Sequence, residues 1–259
     1  MPELPEAEAN RLRVEEGALN RTIVRITLHD TKPMDMPSVA ERKRFESTRF
    51  TETRRHGKYI FIGSKSGPWL VVHLGMTGSL RPFDGSDGPP DHAKLVVEFQ
   101  GGSGLAFRCP RKFGWVRMAE DPERFIAERG VGPDALEIGK AEFLDRMSGT
   151  RSAVKSALID QKRLAGVGNL WSDEVLYRTG IAPERRTSDL KEDTLSGVFK
   201  EMRDVLNAVL KTRADYAKLP DDWLIHHRSK GGTCPRCGGA IEKTTVGGRS
   251  AYHCPKHQR

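Results

Sequence analysis

The amino terminus offers a nucleophile beside two acids. Pro2 follows Met1, a context in which the initiator methionine is removed, so we expect its ring nitrogen to become a free secondary amine. An unperturbed terminal amine has a pKa of about 7.7–8.0 and is substantially unprotonated at neutral pH. It can attack a sugar C1′ to form an iminium, while Glu3 and Glu6 shuttle protons or position water. Taken alone, these residues are better explained as a helix start, with acids offsetting the helix dipole.

The carboxyl terminus carries a set of metal-ligand residues. Cys234-Pro-Arg-Cys237 is followed by Cys254-Pro-Lys-His257, and Gly247-Gly248 between the two pairs suits the tight turn of a hairpin. Three cysteines and one histidine at this spacing form an accepted tetrahedral set for Zn²⁺. Because protein atoms fill all four positions, we predict one structural zinc ion with no place for substrate water.

Composition and charge limit the class of protein. The net charge of +8 and the pI of about 9.4 suit a polyanionic partner, although a merely basic protein would look the same. Cys109 stands apart from the clustered cysteines, and a reducing compartment favours metal ligation over disulfides. The start is acidic and proline-rich, unlike a signal peptide, and no apolar run approaches the ~20 residues that span a bilayer. We therefore expect a cytosolic location and no membrane partner.

The pattern of elements predicts a β-rich half, a helical half and a small metal module. A helix is expected over 6–19, and short apolar runs separated by turn residues predict a sandwich or barrel between about 22 and 117. The clearest strands are 59–62, 69–72 and 95–99. The clearest surface loop is 84–91. Candidate helices beyond residue 121 are 121–129, 140–148, 153–160, 170–179 and 192–213. These segments predict an α+β protein with domains at 1–120, 121–228 and 229–259.

Three motifs together resemble one protein family. The start, Met1-Pro-Glu-Leu-Pro-Glu6, resembles the amino terminus of the formamidopyrimidine-DNA glycosylase and endonuclease VIII family. The run KSALIDQ at 155–161, followed by LAGVGNLWSDE at 164–174, resembles its helix–two-turn–helix motif, and the closing cysteine hairpin with Gly248-Arg249 resembles its zinc finger. The motifs occur in the family's order and span the whole chain, with the closer likeness to the formamidopyrimidine-DNA glycosylase branch.

The resemblance implies both a fold and a function. The fold would be an amino-terminal β-sandwich with a catalytic amino-terminal helix, then a helix–two-turn–helix domain, then a zinc-finger β-hairpin, with DNA held between them. The function would be removal of oxidised purines, 8-oxoguanine and formamidopyrimidines, from damaged double-stranded DNA by a monomeric enzyme. Strand cleavage by β,δ-elimination would follow. The cofactor would be one structural Zn²⁺.

The resemblance also implies roles for individual residues. Pro2 would be the Schiff-base nucleophile, Glu3 the general acid for opening the sugar ring, and Glu6 a supporting acid. Lys58 matches the lysine that contacts phosphate beside the lesion. The matched positions implied to bind DNA are His73, Lys155, Asn169 and Arg249. The glycines at 166 and 168 permit a tight turn whose amides, with the Asn169 side chain, could grip a phosphate oxygen.

Extrusion of a base leaves a hole that the family fills with three side chains. The matching residues are Met76, in His-Leu-Gly-Met, with Arg111 and Phe113, in Pro-Arg-Lys-Phe-Gly. An apolar wedge with a forked donor suits unstacking and reading of the estranged base. Without the motifs, core packing would be the ordinary explanation for Met76 and Phe113.

The chain departs from the family pattern at several points. His257 stands where the family usually has cysteine, Ser250-Ala251 stands where it commonly has Ser-Thr, and the segment 216–230 is short for a lesion-capping loop. Oxidised pyrimidines, the substrates of the endonuclease VIII branch, are thus an alternative. A binding-only paralogue that recognises lesions or abasic DNA, and a zinc-ribbon transcription or architectural factor, are alternatives from other classes.

Overall fold

The computed structural model describes residues 2–64 and 66–259. The chain divides into two compact units. The first unit comprises Pro2 and Glu6–Gly130, and the second comprises Glu3–Pro5 and Val131–Arg259. A few residues at the start of the chain thus pack with its carboxyl-terminal half.

The first unit contains two antiparallel four-stranded sheets. Its strands are β1 (Ile23–Leu28), β2 (Glu52–His56), β3 (Tyr59–Gly63), β4 (Trp69–His73), β5 (Ser79–Phe83), β6 (Ala93–Phe99), β7 (Gly104–Arg108) and β8 (Trp115–Ala119). The strand orders are β1-β6-β7-β5 and β2-β3-β4-β8. Three helices accompany the sheets: α1 (Leu4–Ala18), α2 (Val39–Lys43) and α3 (Pro122–Glu128).

The period of two along the strands explains why this unit forms layers. On β4, Leu70 and Val72 join the core shared by both sheets and α1. Trp69 and Val71, which point to the opposite face, join a second cluster against α3. A strand buried on both faces reads as a continuous apolar run, and the sheet of β4 is therefore covered on both sides.

The second unit is helical apart from one hairpin. It contains α4 (Lys140–Ser148), α5 (Val154–Ile159), α6 (Asn169–Thr179), α7 (Glu192–Lys211), α8 (Leu224–His227), short 3-10 turns at Thr187–Asp189 and Tyr216–Lys218, and the strands β9 (Glu242–Val246) and β10 (Arg249–His253). On α7 the buried residues recur at helical spacing, as in Leu195, Val198 and Met202, so that one apolar stripe packs into the core.

The predicted helices beyond residue 121 are confirmed, and α4 has the predicted limits of 140–148. The β-sandwich and the carboxyl-terminal hairpin are also confirmed. The short segment 216–230 folds into a 3-10 turn and α8, with Leu219 and Trp223 buried in the helical core. Across residues 2–64 and 66–259, no helix combines the length and apolar character that a membrane crossing requires.

Candidate active site and metal centre

The carboxylate of Glu3 caps α6. Its Oε2 accepts hydrogen bonds from the amides of Gly168 at 2.6 Å and Trp171 at 3.3 Å, and its Oε1 accepts from Leu170 at 2.7 Å. The N-cap residue of α6, Gly168, has no side chain to perform this function. Glu3 is 1% exposed and supplies both the missing cap and a negative charge at the positive end of the helix dipole.

Two glycines make room for this contact. Gly166 has a φ of +111°, and a Cβ there would lie 2.5 Å from Leu4 Cδ1. A Cβ at Gly168 would lie 2.4 Å from the carboxyl carbon of Glu3. The amide of Leu4 also donates to the Gly166 carbonyl at 3.1 Å. The residues that follow Pro2 are thus fixed against the turn before α6.

This arrangement corrects one sequence-based expectation. The backbone amides of the turn at Gly166 and Gly168 are predicted to grip a phosphate, but the Gly168 amide donates to Glu3 at 2.6 Å and the Gly166 amide donates to Gln161 Oε1 at 3.0 Å. Asn169, the first residue of α6, is only partly buried, and its Oδ1 has no hydrogen-bond partner among the residues that the structure describes. Because Oδ1 is itself buried and can only accept, a phosphate contact at this turn would come from the Nδ2 group of Asn169.

Lys155 does not fit the predicted direct contact with DNA. Its side chain is 0% exposed, and its Nζ donates to the Asn169 carbonyl at 3.2 Å, Ser172 Oγ at 3.1 Å and Asp173 Oδ1 at 2.5 Å. Burial lowers the pKa of Lys155, and the neighbouring Asp173 opposes that shift. Because the ammonium group of Lys155 is buried, it binds its neighbours in the protein and cannot contact a phosphate.

In the first unit, Lys58 and His73 lie close together. Lys58 is in the turn between β2 and β3, and the β3–β4 register pairs Tyr59 with His73. Burial, with a smaller effect from the Lys58 charge, lowers the pKa of His73 to about 4. The Gly75 amide donates to His73 Nδ1 at 3.3 Å. His73 is therefore neutral at pH 7 and carries its proton on Nε2, which can donate to a phosphate oxygen.

Aromatic packing fixes the orientation of that imidazole. The rings of His73 and Trp115 stack with centroids 5.5 Å apart and planes at 15°, and Tyr59 packs beside both. The sheet register accounts for the cluster, because Tyr59, His73 and Trp115 are cross-strand neighbours on β3, β4 and β8. The packing of these rings thus holds the imidazole in place.

The three predicted wedge residues lie on exposed turns of the first unit. Met76 is 37% exposed and Phe113 is 58% exposed, so neither belongs to the core. The guanidinium of Arg111, also exposed, lies 5.3 Å from the centroid of the Phe113 ring. A Cβ at Gly75, which has a φ of +62°, would lie 2.3 Å from the Phe113 carbonyl carbon. The turn that carries Met76 therefore abuts the turn that carries Phe113.

Pro2 and Glu6 flank the capping residue. Pro2 is partly buried and directly precedes Glu3, and it groups with the first unit. Glu6 lies in the first turn of α1 and is partly buried. Both positions agree with a constrained chain terminus, because the capping contacts of Glu3 lie between them.

The predicted metal ligands converge in the second unit. The ligand atoms of Cys234, Cys237, Cys254 and His257 all lie within 4.8 Å of one another. Cys237 Sγ and Cys254 Sγ are 3.4 Å apart, and Cys234 Sγ and His257 Nδ1 are 3.6 Å apart. Tetrahedral bonds of about 2.3 Å place sulfur ligands roughly 3.8 Å apart, so this set fits Zn²⁺.

A contact beyond the ligands selects the metal-binding nitrogen of His257. Its Nε2 lies 2.8 Å from the Tyr177 carbonyl, which can only accept, so Nε2 carries the proton and Nδ1 is left for the metal. The Tyr177 hydroxyl also lies 3.4 Å from Cys234 Sγ. A zinc ion held here would join the terminal module to the last turns of α6.

Arg249 lies where the sequence predicts it. It is exposed and is the first residue of β10, after a turn in which Gly247 and Gly248 have φ values of +54° and +74°. A Cβ at Gly247 would lie 2.4 Å from Ser156 Oγ on α5. The tip of the hairpin therefore packs against α5, and Arg249 projects from a supported turn.

The sequence analysis missed three buried or partly buried charged residues on α6 and near α8. Asp173 binds Lys155, Arg228 and the Tyr252 amide. Glu174 accepts the first amides of α8, and burial raises its pKa to about 7. An adjacent pair of acids within the mostly apolar stretch from Leu170 to Tyr177 was the available signal, since buried acids require partners.

Comparisons with known proteins agree with this architecture. Residues 1–116 match the formamidopyrimidine-DNA glycosylase N-terminal domain, residues 130–220 match its H2TH domain, and residues 231–256 match the zinc finger found in FPG and IleRS. The formamidopyrimidine-DNA glycosylase of Pelobacter propionicus is 34% identical over 274 residues, covering 100% of both chains.

Solved structures share the fold. The Lactococcus lactis formamidopyrimidine-DNA glycosylase, non-covalently bound to DNA containing an AP site, has a TM-score of 0.89 at 24% identity and 99% coverage of both chains. MutM in complex with DNA containing carbocyclic 8-oxo-G has a TM-score of 0.87 at 24% identity and 100% coverage of both chains. The similarity of sequence to the Pelobacter protein extends over the full length, and the three domain matches occur in order. The chain therefore belongs to the formamidopyrimidine-DNA glycosylase family.

Proposed function

We propose that this chain is a base-excision-repair DNA glycosylase that removes oxidised purines from duplex DNA and then cleaves the strand as an AP lyase. The observation that carries the proposal is the anchoring of the segment after Pro2, where three backbone amides hold the Glu3 carboxylate. An amine at the end of a fixed segment loses little freedom when it meets a reacting carbon.

Pro2 acts as the nucleophile in the proposed chemistry. Its nitrogen forms a bond to C1′ as the bond between C1′ and the base breaks, and the departing base takes a proton from water. The nitrogen then loses its own proton, its lone pair expels O4′, and an iminium forms. The iminium acidifies the C2′ proton, so that β-elimination releases the 3′-phosphate and δ-elimination releases the 5′-phosphate.

Glu3 exchanges protons in this scheme. In the structure its oxygens accept hydrogen bonds from three backbone amides, which favour the ionised form. It can take the proton that leaves the Pro2 nitrogen and deliver it to O4′ as the ring opens. Glu6, in the first turn of α1, supports the site as a second acid.

The proposed phosphate contacts are made by Lys58, His73, Asn169 and Arg249. Lys58 and Arg249 contribute charge, whereas His73, whose pKa is about 4, contributes a neutral donor. Asn169 contributes a side-chain amide at the start of α6. Because charged contacts release counterions, affinity for DNA falls with salt mainly through Lys58 and Arg249.

Met76, Arg111 and Phe113 are proposed to enter the duplex when the damaged nucleotide is extruded. The exposed Phe113 ring and the Met76 side chain act as the apolar wedge, and Arg111 offers its forked donors to the estranged base. The apposition of the two turns at Gly75 keeps the wedge together.

The zinc ion, when bound, supplies structural cross-linking. Cys234, Cys237, Cys254 and Nδ1 of His257 would hold it. The hairpin with Arg249 would then be fixed at its base by the metal and at its tip by α5. We propose modules at 1–120, 121–228 and 229–259, which the three domain matches support, and action on chromosomal DNA in the bacterial cytosol.

A lesion panel tests the proposal. Duplexes with 8-oxoguanine, formamidopyrimidine, thymine glycol or an abasic site are incubated with the protein, and base release and strand scission are scored separately. We expect release of both oxidised purines with strand cleavage. Preferential release of thymine glycol would support the endonuclease VIII alternative instead.

Borohydride trapping separates an enzyme from a binding-only protein. The active protein should form a covalent complex with abasic DNA, and peptide mass analysis should place the cross-link on the Pro2 nitrogen. A matched control carries one glycine inserted before Pro2, so that this nitrogen lies in a peptide bond. If DNA binds but is neither trapped nor cleaved, the catalytic proposal is wrong. Covalent trapping of the glycine-extended control at a residue other than its terminal glycine would exclude Pro2 as the nucleophile.

A further inference from the structure

A buried network of charges in the second unit has no part in the proposed chemistry. Asp173 of α6 is its centre, with a side chain that is 0% exposed. Its Oδ1 lies 2.5 Å from Lys155 Nζ, and its Oδ2 accepts from Arg228 at 2.7 and 3.0 Å and from the Tyr252 amide at 3.2 Å. Four hydrogen bonds from three different residues therefore end on one carboxylate.

One side of the network reaches the first turn of α6. Lys155, held by Asp173, also donates to the carbonyl of Asn169 at 3.2 Å. The side chain of Asn169 is one of the proposed phosphate contacts. The negative charge of Glu3 favours the ammonium form of Lys155. The two negative charges, of Glu3 and Asp173, therefore balance the two positive charges, of Lys155 and Arg228. Electroneutrality explains how four charged groups tolerate this degree of burial.

The other side of the network reaches the zinc hairpin. The Arg228 guanidinium lies 4.4 Å from the centroid of the Tyr252 ring, while Asp173 binds the Tyr252 backbone. Tyr252 is on β10, the strand that begins with Arg249. Three residues of strand span about 10 Å, so the anchored position is close to the tip. With the turn against Ser156, the hairpin is held at two points.

We propose that Asp173, through Arg228 and Lys155, is a positioning residue that sets Arg249 and Asn169 in one register for adjacent phosphates of the strand. The proposal rests on the proposed function. Arg228 and Asp173 do not touch DNA; they act through the residues that do. The carboxylate is well placed for this because a rigid helix carries it one turn beyond Asn169.

Salt-dependent binding separates positioning from direct contact. The probe is a duplex with a tetrahydrofuran abasic analogue, and the slope of log affinity against log salt is measured for wild type, Arg228→Met, Arg249→Ala and the double variant. We expect each single variant to lower the slope by about 0.9, the value for one lost phosphate contact. The double variant should lower it by the same amount, because Arg228 acts only through Arg249. A loss near 1.8 in the double variant would show direct contact by Arg228 and overturn the proposal.

Stability and charge are controlled in the same series. Arg228→Lys, which keeps the charge but loses the forked donors and the planar stack, should recover part of the slope. Lys200→Met removes an exposed charge on α7 and should leave the slope unchanged. Zinc content should stay near wild type in Arg228→Met, whereas the melting temperature should fall because the buried Asp173 carboxylate loses a partner. A lower melting temperature with an unchanged slope would mean that the network only stabilises the fold.

A further variant tests the centre of the network. Asp173→Leu combined with Lys155→Met replaces the buried ion pair by apolar side chains, which can preserve folding. If this variant folds, binds one zinc ion and loses the Arg249 share of the salt slope, positioning is supported. A wild-type salt slope in folded protein that carries Asp173→Leu and Lys155→Met would refute the positioning role of Asp173. Failure of the wild type itself to bind the abasic duplex would instead refute the proposed function.

Discussion

The two roles of Glu3, as cap of α6 and as proposed proton carrier, can be separated by comparing Glu3→Ala with Glu3→Gln. Alanine removes the acceptor of three backbone amides, and no side chain at Gly168 can replace it. Glutamine keeps the shape and one acceptor oxygen, but its NH₂ group faces an amide that it cannot satisfy.

The structure sets the size of the effect. A hydrogen bond to a charged group contributes about 1.5–3 kcal/mol, and the loss of an N-cap costs about 0.5–2 kcal/mol. Some of the amides exposed by truncation will recover water, so the terms do not add fully. We therefore expect Glu3→Ala to lower the free energy of unfolding of the second unit by about 3–5 kcal/mol, and Glu3→Gln by about 1–2 kcal/mol.

Urea unfolding and hydrogen exchange measure this effect. Exchange is the more local measurement, because the amides of Gly168, Leu170 and Trp171 should lose protection in Glu3→Ala before the rest of α6 does. Glu184→Ala, which removes an exposed carboxylate of the same unit, is the control and should change stability by no more than about 0.5 kcal/mol. Wild-type midpoints and wild-type protection of these amides in Glu3→Ala would refute the capping argument. Base excision by Glu3 variants should be compared only below the transition of each protein.

Three further results are expected. Burial raises the pKa of Glu174 from 4.5 to about 7, so the folded chain retains a proton that the unfolded chain loses first. This stabilisation is complete below about pH 4.5 and is lost as the pH rises through 7. In urea titrations, the unfolding free energy of wild type relative to Glu174→Gln should therefore fall by about 3 kcal/mol over that range. A difference that does not change with pH would contradict the assignment. Gly75→Ala should destabilise the first unit by about 2–4 kcal/mol in thermal unfolding, because the new Cβ meets the Phe113 backbone. The control Gly88→Ala, at a position with a φ of +64° and open space around it, should cost only about 1–2 kcal/mol. Equal losses in the two variants would exclude the clash as the cause. Elemental analysis should find one zinc ion per chain in wild type and in His257→Cys but less in His257→Ala. A chelator should remove the metal and, with it, the part of the salt dependence of DNA binding that Arg249 contributes. Full zinc content in His257→Ala would exclude His257 as a ligand.

The amino-acid sequence by itself determined the elements and the metal ligands. Helical periodicity predicted α4 at 140–148, and the paired cysteine motifs predicted the zinc set that the folded hairpin brings together. Both are local properties: a helix needs only its own spacing of apolar residues, and a short hairpin brings its own ligands to one point. The exposure of Met76 and Phe113 also follows from the motifs, although their apolar character alone favours a core.

Only the tertiary structure decided how the buried charges are used. Lys155, predicted to contact DNA, is enclosed beside Asp173, and Glu3 occupies amides that were expected to meet phosphate. These contacts join residues far apart in the chain; the amide of Gly168 and the carboxylate of Glu3 are 165 positions apart. A pattern of residue types predicts that a buried charge must have a partner. Which partner it finds depends on packing, because the low dielectric interior accepts any geometry that satisfies the charge.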